Sequence, residues 1–208
     1  MITKQNLINC INNKDILFVK NFTDKTPSWK DIDSLYNFQL NSKDILFTAF
    51  GAVIFKNSQK YINFYDDFIN FLKKITNGEM YSALTILSFY NNHNNIVDNN
   101  DAKELLNKVN KDNKNKKPDE ITLYDYGVEP KNFFFPTIHC DESHNFFIQG
   151  EGSTLWKIYD NADLIENKNI TKTIIAEKGD FIYIPKNLFH SVEPLSPRFS
   201  VSFAFNDF

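Results

Sequence analysis

His139 and Asp141 stand one residue apart at the end of Phe135-Pro136-Thr137-Ile138-His139-Cys140-Asp141. His190 closes a second stretch that begins Gly179-Asp180 and carries Pro185 and Asn187. Two histidines and one carboxylate can hold one face of a divalent ion and leave three adjacent positions open. That donor set suits non-haem Fe(II) sites that activate O₂. In a strand, residues i and i+2 project to the same side, so His139 and Asp141 can grip one ion while Cys140 faces away. His190 lies 49 positions after Asp141 and must arrive on another strand.

The second half of the chain offers the strands this requires. From Asn132 onward, short aromatic and β-branched runs alternate with turn residues, at 133–138, 145–149, 154–159, 171–176, 181–184 and 199–205. Such runs predict a β-sandwich or barrel. The first half reads as mixed. Asp15–Lys20 is a strand candidate, as are 45–55, interrupted by Gly51, and 83–90. Ser28–Tyr36 predicts a short helix, because Ser28 can cap it and Asp31 follows three residues later. Helical spacing recurs over 65–75 and 102–109. The Lys- and Asn-rich stretch 110–118 reads as a solvated connection, and His93 as a solvated loop residue.

A chain of 208 residues is read as a single domain, 1–208, with residues 1–125 as an N-terminal buttress and 126–208 as the barrel core. A net charge of −3 argues against a nucleic-acid partner held by a basic surface. No apolar run reaches the roughly 18 residues of a membrane span, and the start lacks a signal-peptide core. With only Cys10 and Cys140, no disulfide framework is expected, and a cytoplasmic location is the natural inference. Arg198 is the single Arg of the chain. Among side chains it alone offers a planar two-pronged clamp for a carboxylate.

The stretch His139-Cys140-Asp141-Glu142-Ser143-His144-Asn145-Phe146-Phe147-Ile148-Gln149-Gly150-Glu151-Gly152 resembles the first metal motif of the JmjC/cupin-like Fe(II)- and 2-oxoglutarate-dependent oxygenases. It looks there like the motif of the asparaginyl hydroxylase acting on hypoxia-inducible factor, with its His-x-Asp and Asn-Phe-Phe-x-Gln-x-x-Gly. Gly179–His190 is similar to the second cupin motif, with Asn187 where Gly is frequent; Asn tolerates the left-handed conformation. Phe18–Phe22 through Trp29 resembles the entry segment of the cupin-like branch. The resemblance implies a double-stranded β-helix, a small jelly-roll barrel flanked by N-terminal helices. It implies Fe(II) on His139, Asp141 and His190, with 2-oxoglutarate as cosubstrate and O₂. The frame makes His144 a turn residue rather than a rival ligand. Glu142 has the wrong parity for ligation and reads as a surface or supporting residue. Trp156, Phe146 and Phe147 read as core.

One position departs from the family pattern. Relatives commonly carry a Lys two residues after the Gly at 152, where it clamps the far carboxylate of 2-oxoglutarate; here Thr154 stands there. Lys157 has the opposite parity and should face outward. Arg198-Phe199-Ser200 resembles the Arg-x-Ser element of other 2-oxoglutarate oxygenases, and Arg198 and Ser200 share a strand face. Arg198, Ser200 and Thr154 are therefore candidate cosubstrate residues, and the resemblance adds Asn145, which matches a family position close to the cosubstrate. The implied activity is hydroxylation of a peptide or protein side chain, with a small molecule possible. Two other readings stay open: a metal-dependent cupin acting on a small molecule without 2-oxoglutarate, and a non-catalytic cupin-like binding module.

Overall fold

The computed structural model describes residues 2–39, 45–47, 52–56, 69–70, 72–74, 80–88, 99–114, 138–160 and 169–205. The chain opens with helix α1, Lys4–Asn13, which the sequence reading did not anticipate. Its start is a reciprocal cap: Thr3 accepts from the Asn6 backbone N–H, and the Asn6 side chain accepts from the Thr3 N–H. Strand β1, Leu17–Val19, follows. Helix α2, Trp29–Gln39, begins as expected, with Asp31 Oδ2 accepting from the Ser28 N–H at 2.7 Å and Ser28 Oγ accepting from the Asp31 N–H at 3.3 Å. The apolar run from Ile45 forms two antiparallel strands, β2 (Ile45–Phe47) and β3 (Ala52–Lys56). Strand β4 is Met80–Ser88 and helix α3 is Asn100–Lys114. No described helix is long and apolar enough to cross a membrane. The expected strand at 133–138 lies, except for Ile138, outside the described residues, as does His93.

The remaining strands are β5 (His144–Glu151), β6 (Thr154–Tyr159), β7 (Ile170–Ala176), β8 (Phe181–Ile184), β9 (His190–Pro194) and β10 (Arg198–Phe205). They form two antiparallel sheets, a seven-stranded one in the order β1-β8-β5-β10-β4-β3-β2 and a three-stranded one in the order β7-β6-β9. This is the mainly β, jelly-roll arrangement expected, with N-terminal helices added. Residues before 125 contribute strands β1–β4 to the same sheet as β5, β8 and β10, in addition to the helices.

Strand parity splits the large sheet into two faces. On the outer side Phe146, Ile148, Phe181, Tyr183, Val201, Phe203 and Phe205 pack with Ile2 and Leu7 of the N-terminal segment and with Ile69 and Leu72. On the inner side Phe147, Ile182 and Ile184 meet Trp156, Ile158, Ile174 and Ala176 of the small sheet. The Gly179-Asp180 pair of the second motif ties the entry segment to the barrel. Gly179 adopts φ +85°, and a Cβ there would lie 2.3 Å from the Thr23 carbonyl oxygen. The buried Asp180 carboxylate accepts from the N–H groups of Asn21 at 2.8 Å and Glu177 at 2.9 Å.

Candidate metal centre and cosubstrate chamber

His139 and His190 face each other across a short antiparallel bridge, each N–H donating to the other's carbonyl, at 3.0 and 2.8 Å. The second ligand is held through the same loop. Asn187 takes φ +61°, the left-handed conformation its type tolerates, and its N–H donates to the Asp141 carbonyl at 2.8 Å. The result brings one donor atom from each of His139, Asp141 and His190 within 4.8 Å of one another. His190 is buried, Asp141 half-buried and His139 exposed, so the group opens toward one side. His190 Nδ1 lies 2.9 Å from the Leu188 carbonyl, which can only accept; Nδ1 therefore carries the proton and Nε2 keeps its lone pair. That Nε2 lies 3.7 Å from Asp141 Oδ2. Burial pushes the His190 imidazole below its ordinary pKa, with His139 adding to the effect while Asp141 and the Leu188 carbonyl oppose it. A neutral imidazole with a free Nε2 is the form a divalent ion needs. The donor set and its geometry thus fit a single first-row ion.

Asp141 is steered by Asn145. Ser143 Oγ donates to Asn145 Oδ1 at 3.3 Å, and Asn145 Nδ2 donates to Asp141 Oδ2 at 2.6 Å. One N–H of the amide remains for a further acceptor. Cys140 is not in the cluster, and Glu142 is exposed. His144 corrects the sequence reading: it is not a turn residue but the first residue of β5, 3 % exposed, on the outer face of the sheet. Its Nδ1 lies 2.9 Å from the Tyr183 hydroxyl. The turn at 142–143 ends one residue earlier than the motif frame implied.

At the far end of the barrel lies Arg198. In the register, Asn145 pairs with Ala204 and Gln149 with Ser200, so the two levels are roughly 13 Å apart by strand rise. Arg198 Nη1 donates to Ser200 Oγ at 2.6 Å, as their shared face predicts. The guanidinium is buried, and among the described residues its Nε has no hydrogen-bond partner and no carboxylate pairs with it. Desolvation lowers its pKa to about 10, which leaves it charged at neutral pH. Between these levels the inward position of β10 is Ser202, opposite Phe147. Lys157 has the outward parity expected and pairs with Glu193. Thr154 Oγ1 bonds Gln149 and Trp156, an arrangement the sequence reading did not foresee. The turns that close this end depend on Gly152, at φ +69°, where a Cβ would sit 2.0 Å from the Pro197 carbonyl oxygen.

The fold is a double-stranded β-helix, and residues 129–207 match the family model of the JmjC domain. The motif resemblance is therefore borne out over the barrel. Among solved structures, the chain is similar to YcfD, a ribosomal oxygenase from Escherichia coli, at 11 % identity and TM-score 0.62, over 99 % of this chain and 51 % of that one. The complex of YcfD with cobalt and 2-oxoglutarate matches at 11 % identity and TM-score 0.60, over 97 % and 51 %. The non-heme alpha-ketoglutarate-dependent epimerase SnoN from nogalamycin biosynthesis matches at 9 % identity and TM-score 0.54, over 98 % and 83 %. The chain spans about half the length of the YcfD structures. No curated protein matches it in sequence.

Proposed function

We propose that this protein is an Fe(II)/2-oxoglutarate-dependent oxygenase that hydroxylates a side chain of a peptide or protein. The carrying observation is the pairing of two features on one inner surface. A His-Asp-His cluster stands at one level of the barrel, and a buried guanidinium with an orphaned Nε stands at the other. A buried cation without a counter-charge is costly unless an anion joins it. The far carboxylate of a dicarboxylate held at the metal cluster would satisfy it.

In this reading His139, Asp141 and His190 hold the ion. Asn145 orients the Asp141 carboxylate and can offer its second N–H to the cosubstrate. Arg198 and Ser200 receive the far carboxylate. When bound, Fe(II) supplies O₂ activation coupled to oxidative decarboxylation of 2-oxoglutarate to succinate and CO₂. The chain's own part is to orient, to keep the site dry with Phe147, Trp156 and Ile158, and to fix the His190 tautomer through the Leu188 carbonyl. A protein substrate is supported by the match to the asparaginyl-hydroxylase motif and by the ribosomal oxygenase among the similar folds. The experiment is succinate formation from 2-oxoglutarate by the Fe(II)-loaded protein against a panel of peptides and small molecules, with mass analysis of the panel. A peptide gaining one oxygen per succinate is the expected result. Turnover confined to a small molecule would overturn the substrate class, and no turnover would overturn the oxygenase reading.

A further inference from the structure

The far end of the barrel contains a hydrogen-bond chain whose direction is fixed by backbone. Gln149 Nε2 donates to the carbonyls of Glu151 at 2.7 Å and Phe199 at 3.2 Å. Carbonyls only accept, so the amide orientation is set and Oε1 must face Thr154. Thr154 Oγ1 donates to Oε1 at 3.1 Å. It in turn accepts the indole N–H of Trp156 at 3.1 Å. Gln149, Thr154 and Trp156 are all buried. The single hydroxyl proton of Thr154 is thus committed. A carboxylate is an acceptor and needs a donor, and Thr154 has none left to give. The other end of the chain reaches the metal cluster. The Trp156 ring lies 5.8 Å from the His190 ring with 26° between their planes, and 4.8 Å from Phe147.

We propose that Thr154 is a positioning residue for the metal ligand His190 and not a contact of the cosubstrate. Its hydroxyl anchors the Trp156 indole. The indole, backed by Phe147, holds the His190 ring against rotation, while the Leu188 carbonyl fixes Nδ1. The far carboxylate is then left to Arg198 and Ser200. This inference rests on the metal role of the triad proposed above.

The test measures two affinities separately by calorimetry, Co(II) for the metal-free protein and 2-oxoglutarate for the Co(II)-loaded protein. The proteins are the parent, Thr154→Ser, Thr154→Val and Trp156→Phe, each checked for folding by near-UV circular dichroism. Thr154→Val and Trp156→Phe should each bind Co(II) about tenfold more weakly, the scale of losing a group that orients a ligand. Thr154→Ser should restore parental Co(II) binding. Affinity of the Co(II)-loaded Thr154→Ser and Thr154→Val proteins for 2-oxoglutarate should stay within about twofold of the parent, because Arg198 and Ser200 are untouched. Weaker 2-oxoglutarate binding in Thr154→Val with unchanged Co(II) affinity would overturn the inference and make Thr154 a direct contact. Should Thr154→Val fail to fold, Trp156→Phe decides: parental Co(II) affinity there overturns the inference. A parent that binds no Co(II) would overturn the metal reading itself.

Discussion

On the outer face of β5, β8 and β10 stand Phe146, Ile148, Phe181, Tyr183, Val201, Phe203 and Phe205. On the inner face of the same strands stand Asn145, Gln149, Arg198, Ser200 and Ser202, among Phe147, Ile182 and Ile184. Every residue of β10 is buried, so water exposure does not separate the two faces. Chemistry does. The outer face is what hydrophobic burial selects, and it fastens the helices to the barrel. The inner face accepts buried hydroxyls, amides and one cation, which hydrophobic burial alone would not select. Alternation along a strand is thus used here to divide two buried surfaces, one for stability and one for binding.

Substitutions on the two faces should therefore separate stability from affinity. The largest effect is expected outside. Phe203→Ala, at a fully buried position, should cost about 3–5 kcal/mol of unfolding free energy by denaturant titration. Its 2-oxoglutarate affinity, where the fold persists, should be parental. Arg198→Ala should do the reverse. A charge-assisted contact contributes roughly 1.5–3 kcal/mol, so 2-oxoglutarate should bind about ten- to a hundredfold more weakly. Stability should hold or rise, since a buried charge with no ionic partner among the described residues is removed. Arg198→Lys should recover only part of the affinity, because the fork is lost. Loss of stability in Arg198→Ala equal to that of Phe203→Ala would erase the distinction between the faces. The smallest effect belongs to Cys140→Ser. Cys140 is outside the donor cluster, and a change there should alter Mn(II) affinity by no more than about 0.5 kcal/mol.

Much of this was legible because strand parity is a strict local rule. Arg198 with Ser200 and the outward Lys157 follow from a period of two, and the bounds of β6 and β8 match their apolar runs; His139 and Asp141 come together through an isolated bridge and a loop contact rather than along a strand. Asn187 followed from the conformational tolerance of its side chain. Other features depend on long-range partners and left no local trace. Strand β9, His-Ser-Val-Glu-Pro, has no clear alternation and is defined by pairing with β6. Helix α1 is rich in Asn and low in hydropathy, and only Thr3 and Asn6 signal its start. His144 was misread because where a turn ends by one residue is decided by the pairing of β5 with β10. The hydrogen-bond chain through Gln149 depends on the Phe199 carbonyl, 50 positions away in sequence.

The central claim is that one molecule of 2-oxoglutarate bridges the metal cluster and Arg198. It is tested most directly by titrating 2-oxoglutarate into the parent with and without Mn(II), and into His190→Ala with Mn(II). The account predicts tight binding only for the Mn(II)-loaded parent. Equal affinity with and without Mn(II), or parental affinity in His190→Ala, would contradict it.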